Sequence, residues 1–297
     1  MADTGFASGR LLVVAFEGWN DAGEAASGAV RTLKEVLDVY PIAEVDPEDY
    51  FDYQFNRPSI AADEDGSRQI VWPSVTVYGP TLPASGPSSN IYLLLGTEPS
   101  RGWKTFTREV FDVVEANDIT SIVFLGAMLA DVPHSRPISV FTSSENTDVR
   151  AELDIERSGY EGPVGILSVL ADAAEKSGIS TMSIWASVPH YVHNAPSPKA
   201  TLAIIAKLEE IIKVEIPRGE LVDEAVAWES GIDALAGDDD DMASYIEQLE
   251  QARDTVDSPE ASGEAIAEEF ERYLRRGGDN KPDSGSAAGD EPWRPAP

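Results

Sequence analysis

The fold is constrained most by two kinds of apolar pattern that alternate along residues 10–212. Short apolar runs without polar alternation, such as residues 10–16 (RLLVVAF), are typical of strands that are covered on both faces of a sheet. The first run is followed by Ala26, Val30 and Leu33, whose spacing of three or four residues indicates a helix with one apolar face. Strands that alternate with helices predict a largely parallel sheet with helices on both faces.

The same order of strand and helix recurs after this first unit. The predicted strands cover residues 92–96 (YLLLG), 121–126 (SIVFLG) and 179–188, and the predicted helices cover residues 103–114, 164–174 and 199–212. Residues 46–80 differ, because Tyr, Phe, Trp and Val there alternate with polar residues, as in antiparallel or edge strands. The α/β fold is therefore predicted to have a mixed sheet that is largely parallel.

Beyond Gly219 the strand pattern stops and only helical spacing remains. We therefore predict three regions: an α/β core over residues 1–219, an acidic helical appendage over residues 220–276, and a tail over residues 277–297. From Glu220 onward the chain has 22 acidic and 6 basic residues. The tail is rich in Gly, Pro, Ser and Asp and has no apolar periodicity, so we expect it to lack a fixed structure.

Composition excludes several classes of function. The chain has no Cys, which excludes disulfides, thiolate zinc sites, iron–sulfur clusters and cysteine nucleophiles. A net charge of −31 repels the phosphate backbone of nucleic acids, so nucleic acid is not an expected partner. No apolar stretch approaches the roughly 20 residues of a membrane helix, so no membrane partner is expected and the cytoplasm is the expected location.

Candidate functional residues follow the predicted strands. In an open α/β sheet, ligands bind beyond the carboxyl ends of the strands, and this chain has polar loops at those positions. We call the six residues singled out in these loops the polar rim: Asp21, Glu98, Asp131, His134, Arg136 and His190.

The polar rim has a catalytic and a structural interpretation. Asp131 with His134, or Glu98 with His190, could act as carboxylate and imidazole in acid–base chemistry, and Arg136 could hold an anion. The same side chains could instead pack loops and bind backbone groups.

Other signals for chemistry at these loops are weak. Asp21 and Glu24 form a predicted capping box at the first helix, which disfavours phosphate binding there. The chain has no GxSxG, P-loop or HExxH motif, and we predict neither a metal site nor a cofactor.

Six segments, taken in their order and spacing, resemble the proteasome assembly chaperone 2 family, in particular its actinobacterial branch. The resemblance extends from about Leu11 to Leu249. The segments are residues 16–27 (FEGWNDAGEAAS), 50–58 (YFDYQFNRP), 96–103 (GTEPSRGW), 125–137 (LGAMLADVPHSRP), 162–170 (GPVGILSVL) and 183–200 (SIWASVPHYVHNAPSPKA).

The resemblance implies an α/β fold similar to purine nucleoside phosphorylases and related hydrolases, in proteins that form oligomers and have no established activity. Relatives in eukaryotes and archaea assist or engage the proteasome core. Our leading hypothesis is a non-enzymatic, protein-binding or assembly-chaperone-like homo-oligomer, with a trimer as one expected size and a client that the sequence does not identify. The alternative is a small-molecule hydrolase or transferase that uses Glu98, Asp131, His134 and His190.

Overall fold

The computed structural model describes residues 5–63, 65–81 and 89–257. The strands are β1 (Arg10–Glu17), β2 (Val39–Val45), β3 (Ser59–Ala62), β4 (Arg68–Val71), β5 (Val75–Pro80), β6 (Ile91–Thr97), β7 (Ile119–Ala130), β8 (Val140–Ser143) and β9 (Ser180–Pro189). The helices are α1 (Ala25–Val36), α2 (Trp103–Ala116), α3 (Thr147–Leu153), α4 (Ile166–Lys176), α5 (Pro198–Ile212), α6 (Leu221–Gly237) and α7 (Asp240–Asp257).

The described strands form one seven-stranded sheet and a separate hairpin. The order in the sheet is β2-β5-β6-β1-β7-β9-β8, and β3 pairs with β4 in the hairpin. The four central strands β6, β1, β7 and β9 are parallel, whereas β5, β2 and β8 pair antiparallel with their neighbours. The predicted mixed, largely parallel sheet is thus confirmed.

Both faces of the sheet are covered by helices, which explains why β1 has no polar alternation. Leu11, Val13 and Ala15 point into a core that α1 and α5 share, while Leu12 and Val14 point into a second core with α2 and α4. Each fully buried aliphatic side chain of this kind stabilises the fold by about 1.5–3 kcal/mol. Helices begin with local signals too, since Ser197 caps α5 and Pro198 is its first residue.

The C-terminal region of the chain is helical where the structure describes it. Helices α6 and α7 occupy the segments in which helices were predicted, and α6 packs against α5. The chain divides into two units between Leu249 and Glu250, with the sheet and α1 to α6 in the first. The separate appendage from residue 220 stays a prediction, and residues 258–297, including the tail, lie outside the described residues.

None of the helices in the described segments is both long enough and apolar enough to span a bilayer.

Candidate functional site

The six residues of the polar rim lie at one edge of the sheet. Strands β6, β1, β7 and β9 are parallel, so their carboxyl ends meet at the same edge, as expected. The contacts of the rim side chains divide them into a group near β1 and β6 and a group near β7 and β9. In chain order, Asp21 follows β1, Glu98 follows β6, Asp131, His134 and Arg136 follow β7, and His190 follows β9.

The Asp21 carboxylate stabilises the N-terminus of α1. Its Oδ1 accepts hydrogen bonds from the amides of Ala26 (2.8 Å) and Ser27 (3.1 Å). The predicted capping box is wrong in its second member, because Glu24 has a left-handed φ of 49° and its side chain pairs with Arg31. The N–H groups at the start of α1 therefore find their acceptor in Asp21, three residues before Glu24.

The environment of Asp21 is unusual for a carboxylate. Asp21 is only 6% exposed, and its Oδ2 has no hydrogen-bond partner among the described residues. Burial raises the pKa of the Asp21 carboxyl above its ordinary value of 3.8, and hydrogen bonds from Ser27 and Ala26 oppose that shift. A carboxylate held in this way is fixed in position and closed to solvent.

Glu98 has the same role at α4. Its Oε1 accepts hydrogen bonds from the amide of Ile166 at 2.8 Å and from Nδ2 of Asn20 at 3.3 Å. This approach requires Gly165, because a Cβ there would lie 2.1 Å from Asn20 Nδ2 and 2.7 Å from Glu98 Oε1. Glu98 therefore holds the start of α4 against the loop that follows β1, where its charge also favours the positive end of the helix dipole.

His134 is buried and connects the rim to α6. Only 1% of His134 is exposed. Its amide donates to the Tyr191 hydroxyl at 2.7 Å, its Nδ1 lies 2.9 Å from the same hydroxyl, and its Nε2 lies 3.1 Å from Asp233 Oδ1. The His134 ring also packs edge-on against Tyr191 and Trp228. Because Trp228 and Asp233 belong to α6, His134 fixes this helix to the loop after β7.

Asp131 and His190 form the exposed part of the rim. His190 Nδ1 lies 3.2 Å from Asp131 Oδ1, which suits an ion pair with a protonated imidazole but not the angle of a hydrogen bond. The Tyr245 hydroxyl donates to Asp131 Oδ1 at 3.4 Å, and burial together with Asp131 raises the pKa of Tyr245 above its ordinary value of 10.0. The rings of His190, Tyr191 and Tyr245 meet edge to face, with centroids 5.6 to 6.2 Å apart.

The structure pairs the rim residues differently from either expected arrangement. Asp131 contacts His190 instead of His134, and His134 contacts Asp233 instead of Asp131. Glu98 contacts backbone and amide groups instead of an imidazole. The strand-end rule gave the correct edge of the sheet, but it did not give the partners.

Five further residues hold this part of the rim together, and the sequence interpretation missed them: Tyr191, Lys199, Trp228, Asp233 and Tyr245. Lys199 donates to the carbonyl of His134 and pairs with Glu229 of α6. Tyr191 could have been selected, because it lies between His190 and His193 in the loop after β9. The contributions of α6 and α7 have no sequence signal, since helical spacing does not tell which loop a helix will contact.

The remaining features of the site are modest. Nη1 of Arg136 lies 3.5 Å from the Ser135 hydroxyl. Within residues 5–63, 65–81 and 89–257, no group of three or more His, Asp or Glu side chains could hold a metal ion. An open cleft of about 460 Å³, lined in part by Gly28, Thr201 and Trp228, lies between α1, α5 and α6. No rim residue lines this cleft.

Comparison with known proteins gives a consistent result. A family model described as the PAC2 family matches residues 15–236. A PAC2 family protein from Streptomyces avermitilis is 41% identical with a TM-score of 0.71, and the match covers 79% of this chain and 98% of that chain. A Mycobacterium tuberculosis protein described as a proteasome-assembly chaperone homologue is 38% identical with a TM-score of 0.69, over 80% of this chain and 99% of that chain.

A more distant structure shares the fold alone. Pyrococcus furiosus PbaB, described as an archaeal proteasome activator, is 14% identical with a TM-score of 0.61, over 76% of this chain and 92% of that chain. No match was found among curated proteins. The family model covers most of the sequence, and two actinobacterial relatives are matched over nearly their whole length. The chain therefore belongs to the PAC2 family.

Proposed function

We propose that this protein is a homo-oligomeric, protein-binding member of the PAC2 family, with an assembly-chaperone-like role and no chemical reaction of its own. One observation carries the proposal: three rim side chains that resemble catalytic groups hold helices in place. Asp21 and Glu98 bind the N-termini of α1 and α4, and His134 is buried against α6. The relative described as a proteasome-assembly chaperone homologue supports the same role.

The physical argument concerns access. A general acid or base must come within hydrogen-bond reach of its substrate. Asp21 is 6% exposed and His134 is 1% exposed, so a substrate could reach neither without local opening. The Glu98 carboxylate accepts from an amide at a helix start, where the helix itself offers no acceptor. Moving Glu98 toward a substrate would leave that amide unsatisfied.

The proposed partners are proteins. We propose a cytoplasmic protein that forms a closed homo-oligomer, with a trimer as the expected size, and that binds a client protein. Neither nucleic acid nor a membrane is proposed as a partner. The net charge of −31 and the acidic residues around the start of α7 suit a client with a basic surface.

Light scattering tests the self-association directly. At micromolar concentration we expect a mass of two or more times the monomer mass of 32.0 kDa, in a whole-number ratio. A mass that stays at 32.0 kDa as the concentration rises would contradict the proposal.

A binding experiment tests the client. The immobilised protein should retain one cytosolic protein in a fixed ratio and release it as salt is raised. The matched variant replaces Asp238, Asp240 and Asp241 by Asn and keeps Asp239, because Asp239 Oδ1 caps α7 by accepting from the amides of Asp241 and Met242. We expect this variant to fold normally and to retain less client. Equal retention by the variant would remove the acidic surface from the proposal.

One observation favours a second candidate function. Asp131 and His190 bring a carboxylate and an imidazole within 3.2 Å on the exposed side of the rim, and these are the group types that a small-molecule hydrolase or transferase could use for acid–base chemistry. A panel of activated ester and phosphoester substrates tests this alternative. Turnover that is lost in both Asp131→Asn and His190→Ala, while the oligomeric mass is unchanged, would favour the enzyme over the scaffold.

A further inference from the structure

The β3–β4 hairpin is the most exposed regular structure in the described chain. We call residues 53–72 the arm; its two strands pair with each other and with no other described strand. All eight residues of β3 and β4 are exposed, including the cross-strand pair Ile60 and Ile70 at 60% and 61%. Phe55 before the hairpin is 85% exposed, and Val71 at the end of β4 and Trp72 after it are also exposed. The arm thus presents apolar side chains on a strand pair that the rest of the chain leaves uncovered.

The hairpin is well formed although it is uncovered. Asp63 Oδ1 accepts from the amides of Asp65 and Ser67, and its Oδ2 accepts from Gln69 Nε2, which together close the turn. These hydrogen bonds, first that of Gln69 and then that of Ser67, lower the pKa of the Asp63 carboxyl below its ordinary value. The turn therefore sets the pairing of β3 with β4 locally, without help from packing.

The base of the arm is attached firmly to the sheet. Tyr50 and Phe51, just before the arm, are buried. The carbonyl of Tyr50 accepts from the amides of Ser100 and Arg101, in the loop that follows β6. Trp72 closes the base from the other side through a ring contact with Tyr53 at 4.8 Å. The base of the arm therefore lies at the same edge of the sheet as the polar rim, and its strands are exposed.

An arm of this kind needs a cover. An isolated two-stranded hairpin is at best marginally stable in water, and its outer edges carry unpaired backbone groups. Several exposed Phe, Ile, Val and Trp side chains on one short segment are a common mark of a protein interface. Both points indicate that another polypeptide packs on the arm.

The charged residues of the arm indicate what kind of polypeptide packs on it. Acidic residues of the arm are confined to its turn, at positions 63–65, although the chain has 53 acidic residues in total. Arg57 and Arg68 are the basic residues of the arm, and within the described part of the chain neither has an ion-pair partner. An apolar surface with two guanidinium groups fits an acidic protein surface. The rest of this chain, with a net charge of −31 overall, is such a surface.

We infer that the arm of one copy packs on the acidic α/β body of a second copy, and that this contact is the means of self-association. The inference rests on the proposed homo-oligomer and identifies its contact surface. Two copies of so acidic a chain repel each other, whereas the stem of the arm, outside its acidic positions 63–65, brings apolar area and the guanidinium groups of Arg57 and Arg68 to the contact.

Thiol labelling tests the inference, because the chain has no Cys and a single substitution creates a unique thiol. Ile70→Cys places the thiol on the arm. Lys176→Cys is the control, since Lys176 is 73% exposed at the C-terminal end of α4, away from the rim. At protein concentrations well above the dissociation constant, we expect Ile70→Cys to react about tenfold more slowly than the control, because only the dissociated form is accessible. On dilution, the two rates should converge.

The outcomes separate the inference from the proposed function. If the protein is oligomeric by light scattering and Ile70→Cys reacts as fast as Lys176→Cys at all concentrations, the arm is not in the contact and only the inference fails. If the protein is a monomer at 32.0 kDa under the same conditions, self-association fails and the inference fails with it. A melting temperature equal to that of the unmodified chain at high dilution shows that each variant is folded.

A charge reversal provides an independent test. Arg57→Glu combined with Arg68→Glu should shift the oligomer toward the monomer, and the shift should be smaller at high salt because screening weakens the repulsion. The control is Lys176→Glu, which makes a charge change of the same kind at the other edge of the sheet. An oligomeric mass that is the same in both variants and at all salt concentrations would overturn the assignment of an acidic partner surface.

Discussion

The polar rim and the base of the β3–β4 arm lie at the same edge of the sheet, but the side chains of the rim and of the arm differ in what they contact. Rim residues such as Asp21, Glu98 and His134 have side chains of the types found in active sites. In this chain, however, they bind the first amides of α1 and α4 and a side chain of α6. Arm residues such as Ile60 and Ile70 have no reactive or polar group, yet the chain leaves them exposed to solvent. At this edge, then, Asp21, Glu98 and His134 are used to hold helices, whereas the side chains that the arm leaves exposed are apolar.

Among the rim residues, the largest expected effect is at His134, for which we predict a structural role. His134→Ala should lower the free energy of unfolding by about 2–4 kcal/mol, because it leaves a cavity and removes the contacts to Tyr191 and Asp233. Chemical denaturation measures this. His193→Ala is the control, because His193 is an exposed histidine in the loop after β9, and it should change stability by less than about 0.5 kcal/mol. Equal, small effects would mean that His134 does not hold α6.

Substitutions of Glu98 test whether the start of α4 needs a negative charge or only a hydrogen-bond acceptor. Glu98→Ala should cost about 1–2 kcal/mol of unfolding free energy, because the Ile166 amide loses its acceptor at the start of α4. Glu98→Gln should keep most of that stability, since its carbonyl oxygen can accept the same hydrogen bond, and should lose only about 0.3–1 kcal/mol of interaction with the helix dipole. A stable Glu98→Ala variant would leave this carboxylate available for another role.

Asp21 provides a dependence on pH with a definite sign. The folded-state pKa of Asp21 is raised by burial, so the folded protein holds this proton more tightly than the unfolded chain. The contribution of Asp21 to stability is therefore greatest below its unfolded value of 3.8 and falls as the pH rises through the higher folded value. Asp21→Asn keeps an acceptor for α1 and should remove this dependence, whereas Asp21→Ala should lose the cap, at about 1 kcal/mol.

Denaturation of the three proteins at several pH values tests this prediction. The stability difference between Asp21→Asn and the unmodified chain should move in favour of Asn as the pH rises. A difference that moves the other way would mean that the folded protein favours the ionised form of Asp21.

The smallest effect on stability is expected on the arm. Phe55→Ala should change the free energy of unfolding of the dissociated chain by less than about 0.5 kcal/mol, because Phe55 is 85% exposed. Phe51→Ala, four residues earlier and buried, is the matched control and should cost about 3–5 kcal/mol. Thermal unfolding at high dilution measures both. A large loss in Phe55→Ala would mean that the arm packs on its own chain.

Much of the fold could be predicted because its signals are local. The apolar run at residues 10–16 has no polar alternation because helices cover both of its faces, and β1 is accordingly a central strand. The start of α5 could be predicted from Ser197 and Pro198 for the same reason, since a cap acts within four residues. The edge of the sheet that carries the polar rim followed from strand direction alone.

The pairing of the rim residues depended on distances along the chain that no local pattern covers. His134 and Asp233 are 99 residues apart, and Glu98 and Ile166 are 68 residues apart. Their contact depends on how α4 and α6 pack against the sheet, which is set by the shapes of many side chains together. The predicted capping box illustrates the same limit on a small scale, since Asp21 caps α1 as predicted but a left-handed backbone at Glu24 removes the second member of the box.

By itself, then, the sequence determined the order of strands and helices, the buried character of the central strands and the group of loops at one edge, because propensity, apolar period and chain direction act over a few residues. Only the tertiary structure decided which of the polar side chains are buried as helix caps and which apolar side chains are left exposed on the arm. Whether a side chain is buried depends on contacts with residues that are distant in the sequence, and these contacts exist only in the packed molecule.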